Sequence, residues 1–146
     1  MPRRPPLAAL VALLAGACSS GSVAKGPVPL EAPASGDATS VCAAVVAKLP
    51  LTLGGESRRL TSPSPTTTAA WGDPPITFVC GVGEGSARDD PYEFDGVQWA
   101  MHDVGAARTW TTRGRAVNVV VTVPDAYSGQ AELLGSLAGA LTPTAD

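Results

Sequence analysis

The chain has 146 residues, with 13 Asp and Glu against 10 Lys and Arg and a formal net charge of -3. Its cations form no stripe or cluster, so the electrostatic footprint of a nucleic-acid binder is missing and that class is set aside. Three cysteines are an awkward number for an exported protein unless one of them has a separate fate.

The first residues supply that fate. Arg3 and Arg4 precede an apolar run from Leu7 to Ala17, and Cys18 stands directly after Ala15-Gly16-Ala17. The run is 11 residues long, against about 20 for a helix that spans a bilayer. It therefore reads as a removable signal over residues 1–17. Two processing routes fit. Ala15-Gly16-Ala17 is an ordinary A-x-A exit site, which would give a secreted protein. The same residues followed by Cys18 and Ser19-Ser20 resemble a lipobox, with Ala15 where a larger aliphatic residue is usual. We read Cys18 as the lipidated residue. Its acyl chains would anchor the protein at the outer face of the cytoplasmic membrane, each buried methylene contributing about 0.8 kcal/mol.

With Cys18 so used, Cys42 and Cys80 remain as a pair in an oxidising compartment. Their bond would close a loop of 38 residues, stabilising the fold by roughly 4 kcal/mol in the chain-entropy model. The alternative is two unpaired buried thiols. Removing residues 1–17 also removes two arginines, so the charge moves from -3 to -5. Residues 18–38 are small, polar and proline-punctuated, the composition of a linker that reaches about 60 Å if stiffened into polyproline II. Residues 39–144 then form one domain of common size.

Within that domain Cys42, Val45, Val46 and Leu49 recur at i, i+3, i+4 and i+7, predicting a helix from Thr39 to Leu49 that Pro50 stops. Leu51 to Ala70 favours irregular structure with at most a short strand. Ile76, Phe78, Cys80 and Val82 alternate on one face of a predicted strand, so both domain cysteines point inward. Asp95-Gly96 predicts a type I′ hairpin that sets Phe94 opposite Val97 and Tyr92 opposite Trp99. Arg113-Gly114 predicts a second hairpin, pairing Trp110 with Val117, and Pro124 ends its last strand. Leu133, Leu137 and Leu141 mark a final helix from Ser128 to Leu141. The whole reads as an α+β domain: one antiparallel meander of about five strands, packed on one face by an N-terminal and a C-terminal helix.

The segment WGDPPITFVCGV (Trp71 to Val82), the hairpin GVQW (Gly96 to Trp99) and VTVPDAY (Val121 to Tyr127) resemble the domain of unknown function 3515 over about residues 41–141. That resemblance implies small exported actinobacterial proteins, many with signal peptides or lipoboxes. It implies compartment and fold and transfers no catalytic residue.

Motifs for chemistry are weak. His102 precedes Asp103, but no G-x-S-x-G elbow supplies a nucleophile, and an exposed loop histidine is the plainer reading. Gly81, Gly83 and Gly85 lack the Lys-Ser/Thr ending of a phosphate loop. Asp89, Asp90, Glu93 and Asp95 lack the register of a calcium loop, and one histidine leaves zinc too few ligands. No metal or cofactor is expected. Trp71-Gly72-Asp73-Pro74-Pro75 is the sharpest feature. It either packs Trp71 over the sheet end, or presents Trp71, Asp73, Pro74 and Pro75 with Tyr92 and Trp99 as a recognition patch that Arg58 and Arg59 border. The expected role is a membrane-anchored cell-envelope protein whose domain binds an envelope protein or a cell-wall component without catalysis. A hydrolase-like enzyme of unrecognised motif and a passive structural lipoprotein are the alternatives.

Overall fold

The computed structural model describes residues 25–33 and 36–142; the signal segment and Cys18 lie outside the described residues. The order is β1 (Val28–Leu30), α1 (Asp37–Lys48), β2 (Thr52–Leu53), β3 (Glu56–Arg59), β4 (Thr61–Pro63), β5 (Thr68–Trp71), β6 (Ile76–Val82), β7 (Asp90–Phe94), β8 (Val97–Asp103), β9 (Ala107–Thr112), β10 (Asn118–Pro124) and α2 (Gln130–Leu141). α1 follows its apolar stripe and ends where Leu49 turns extended before Pro50, as the clash with a following proline ring requires. The Asp95-Gly96 turn has both residues at positive φ, 48° and 78°. It pairs Phe94 with Val97 and Tyr92 with Trp99, the register its turn chemistry predicts.

The expected α+β class holds, but a single five-stranded meander does not. Eight strands form one antiparallel sheet in the order β2-β3-β5-β6-β10-β9-β8-β7, and β1 and β4 form a two-stranded parallel sheet. The five predicted strands are β6 to β10. The added three lie in the stretch read as irregular. There Gly54 and Gly55, at φ 59° and 82°, make a two-residue hairpin turn between Leu53 and Glu56, and Arg58 and Arg59 pair with Trp71 and Ala70. These strands have four residues or fewer, too short for side-chain alternation to show, so main-chain pairing defines them. The meander is also interrupted: β6 pairs with β10, and β7 starts again at the far edge. The second hairpin has a longer loop than predicted, residues 113–117, so Trp110 lies opposite Val121 and not Val117.

The long β6–β7 connection crosses the sheet. Gly85 donates its N–H to the Thr112 carbonyl at 3.1 Å. A Cβ built on Gly85 would lie 2.6 Å from that of Ala100 and 2.9 Å from the Thr111 oxygen. Only glycine at position 85 lets the crossing segment lie this close, a structural reason for this glycine.

Residues 25–33, read as linker from composition, join the domain instead. β1 pairs in parallel with β4, Val28 is buried, and Arg59 donates to the Gly26 carbonyl at 3.1 Å. Backbone pairing needs no apolar pattern, so composition alone concealed it.

Both helices contribute to one core with the inward face of the sheet, where Trp71, Phe78, Cys80, Trp99, Val121 and Leu134 are all buried. Cys42 of α1 and Cys80 of β6 are joined by a disulfide with a Cα–Cα distance of 5.6 Å. The bond spans 38 residues and fastens the first helix to an inner strand. Replacing both cysteines by alanine is expected to lower stability by about 2 to 5 kcal/mol, read as a fall in the denaturant midpoint that reducing agent reproduces in the parent chain and not in the variant.

Candidate functional site

Trp71 ends β5 and is fully buried. Its indole Nε1–H donates to the Pro50 carbonyl at 3.0 Å, and the Arg58 guanidinium lies 5.7 Å from the ring centroid, within cation–π range. Arg58 also donates to the Val46 and Leu49 carbonyls at 3.3 and 3.4 Å. It thus satisfies carbonyls at the end of α1 while closing over Trp71. Trp71 is part of the core and offers no surface to a partner.

The rest of the WGDPP corner is held from several sides. Gly72 turns at φ 72°, and a Cβ there would lie 2.5 Å from the Tyr127 hydroxyl and 2.8 Å from Glu56 Cγ. Tyr127 donates its hydroxyl to the Pro74 carbonyl at 2.6 Å, and Arg59 donates to the Gly72 carbonyl at 3.0 Å. The Asp73–Pro74 peptide is cis. Lys25 pairs with the exposed Asp73 carboxylate and holds its pKa below the ordinary value. Burial first, then the Glu56 carboxylate, push the Tyr127 phenol above its ordinary pKa of 10.0. Asp73 and Pro74 are exposed and Pro75 is half-buried. Lys25, Glu56 and Tyr127 are members of this corner not singled out from sequence. The only available signal was the position of Tyr127 in VTVPDAY, since Glu56 is brought in by the β2–β3 hairpin.

The six residues proposed as one patch do not assemble. β5 and β7 are five steps apart in the sheet, about 24 Å at the usual strand spacing of about 4.8 Å. Trp99 is also fully buried, because its β8 position faces the helices. Tyr92 is 41% exposed and packs edge-on against Trp110 with centroids 5.2 Å apart. Its hydroxyl-bearing ring is a rim of the core at the sheet edge.

A groove of about 470 Å³ opens elsewhere. Val41, Ala44, Val45 and Lys48 form one wall, at the i, i+3, i+4 and i+7 spacing that gathers residues on one side of α1. Arg115, Ala116 and Val117 of the β9–β10 loop form the other, Ala140 to Thr142 close one end, and Cys80 and Val119 lie at the floor. Val41 is 47% exposed there. Sequence reading missed this groove because α1 shows its core stripe clearly, while the opposing wall is a loop whose position the sheet decides.

His102 Nδ1 lies 3.2 Å from Asp89 Oδ1, and Asp103 instead accepts the Gly105 N–H at 2.9 Å. Both His102 and Asp103 are exposed at the end of β8, and neither lines the groove. No group of three or more His, Cys, Asp or Glu that could hold a metal is present among the described residues.

An eight-stranded antiparallel sheet carrying two helices, stapled by one helix-to-strand disulfide and opening in an apolar groove beside it, defines a small α+β domain. The chain belongs to the family described as protein of unknown function (DUF3515), whose model matches residues 5–145. No curated protein and no solved structure matches it.

Two expected outcomes follow from the corner. Trp71→Ala should cost about 3 to 5 kcal/mol, the usual loss on emptying a buried aromatic site, measured by chemical denaturation. Tyr127→Phe should cost about 1 kcal/mol at neutral pH through the lost hydrogen bond. Because the folded state raises the phenol's pKa, the stabilising contribution is complete below about pH 10 and is lost as pH rises through the raised folded value. The difference between wild type and Tyr127→Phe should therefore shrink above pH 10, and a difference constant with pH would contradict this assignment.

Proposed function

We propose that the chain is an exported cell-envelope protein, tethered to the outer face of the cytoplasmic membrane by lipid on Cys18, whose folded domain is a binding or accessory module rather than an enzyme. The observation that carries this reading is the Cys42–Cys80 disulfide. Such bonds persist in oxidising compartments and are rare in the cytosol. The bond also accounts for both domain cysteines, leaving Cys18 as the third, behind a short apolar run and two arginines. Among the described residues no helix is long and apolar enough to cross a membrane, so attachment in this reading rests on the acyl chains.

The tether is short. From Cys18 to Lys25 there are seven residue steps, at most about 25 Å of extended chain, because β1 and the Lys25–Asp73 pair already belong to the domain. This holds the WGDPP corner near the membrane, well inside the 60 Å that a free linker through residue 38 would permit. Binding partners within reach are envelope proteins, lipids or cell-wall components.

The intact mass of protein recovered from the membrane fraction should correspond to a chain beginning at a diacylglyceryl-modified Cys18, and Cys18→Ala should release the protein or stall it as the unprocessed precursor. Recovery of unmodified protein beginning at Cys18 in the medium would overturn the anchor and leave export standing.

A further inference from the structure

We propose that the groove between α1 and the β9–β10 loop binds a single-chain lipid with a carboxylate head, a free fatty acid. This deepens the reading of the domain as a binding module and does not depend on how Cys18 is processed. Its volume of about 470 Å³ lies toward the lower end of the roughly 300–1,000 Å³ typical of small-molecule sites. That is room for one acyl chain rather than two. Its walls are Val41 and Val45 on one side, Val117 on the other and Leu141 at the end. Val41 remains half exposed, so apolar surface there gains from being covered.

The charges select the head group. Lys48 and Arg115 are the charged residues that line the groove, and no carboxylate joins them. This occurs in a chain where acids outnumber Lys and Arg, 13 to 10. Of the other cations of the domain, Lys25 pairs with Asp73, Arg108 with Asp125, and Arg58 and Arg59 hold backbone carbonyls, while Arg88 and Arg113 have no acidic partner among the described residues but do not line the groove. Neither Lys48 nor Arg115 has an acidic partner among the described residues. Lys48 also offsets the negative end of α1, in whose last turn it stands; Arg115 sits in a loop and has no such duty. One ammonium and one guanidinium on opposite walls suit the two oxygens of a carboxylate through charge-assisted hydrogen bonds. Besides these two, Thr142 is the remaining side chain with a hydrogen-bonding group in the lining. The ester and hydroxyl oxygens of a glycerophosphate head would find few donors there.

The test uses the full chain carrying Cys18→Ala, so that no acyl group is attached to the protein and loss of the anchor cannot be confused with loss of the site. Dodecanoate, kept below its micellar range, is titrated by calorimetry, with monododecanoylglycerol and dodecanoyl lysophosphatidylglycerol as comparison ligands. Saturable one-to-one binding of dodecanoate is expected, weakened about tenfold or more when Lys48→Gln and Arg115→Gln are combined, the size of one lost charge-assisted bond. Val41→Asp, a change at an exposed site, should weaken it through like charge. Unchanged melting temperatures verify that each variant is folded, and a variant that melts early is replaced by Lys48→Gln or Arg115→Gln alone. Absence of saturable binding, equal affinity for the neutral glycerol ester, or affinity unaffected by the Lys48 and Arg115 changes would overturn the proposal. Tighter binding of the lysophospholipid would overturn the carboxylate head group.

Discussion

The covalent bond between Cys42 and Cys80 constrains more of this molecule than any other contact. It joins an inward position on α1 to an inward position on β6, a strand with neighbours on both sides in an eight-stranded sheet. A helix of 12 residues has little intrinsic stability alone, and α1 carries no side-chain N-cap bond. Its place on the sheet therefore depends on the bond and on the core residues Val46 and Leu49. Placing α1 in turn sets the carbonyls that Arg58 grips, the cover over Trp71 and one wall of the groove.

The WGDPP corner shows how a motif that looks like a recognition element can serve the fold. An indole in a proline-stiffened loop is a common binding anchor, but here the ring is used inward. Its N–H is satisfied by the Pro50 carbonyl and its face by Arg58. Other polar groups of the corner bond to its backbone: Tyr127 to the Pro74 carbonyl, Arg59 to those of Gly72 and Gly26. Arg59 thereby links the chain entering the domain to the corner itself, which draws residues 25–33 into the folded domain. An open apolar groove lies instead beside the disulfide, lined by Lys48 and Arg115, which have no acidic partner among the described residues.

Much of the fold was legible where local rules decide it. The i, i+3, i+4, i+7 stripe located α1, the leucine repeat located α2, and alternation located β6 and β10. Asp95-Gly96 set the β7–β8 register to the residue, because a two-residue type I′ loop leaves no freedom in the pairing. The Arg113-Gly114 pair misled, since a five-residue loop follows the last β9 residue and moves Trp110 from Val117 to Val121. The candidate site was legible only in part. The sequence singled out Trp71, Asp73, Pro74, Pro75, Tyr92 and Trp99 as a possible recognition patch, but it carries no information on which side of a sheet edge a ring will lie or how far apart two strands will be, and Trp71 and Trp99 are buried.

Periodicity, turn chemistry and the cysteine count by themselves determined the two helices, five of the strands, one hairpin register and the inward phase of both domain cysteines, because each depends on residues within a few positions of one another. Tertiary structure alone decided that β6 pairs with β10, that Thr52–Leu53, Glu56–Arg59 and Thr68–Trp71 become strands, and that Val28–Leu30 docks on Thr61–Pro63. These outcomes rest on backbone hydrogen bonds and burial between segments remote in sequence, and backbone groups are the same in every residue but proline. For that reason the burial of Trp71 and Trp99, and the groove that faces Lys48 with Arg115, become visible only once the strands have taken their order.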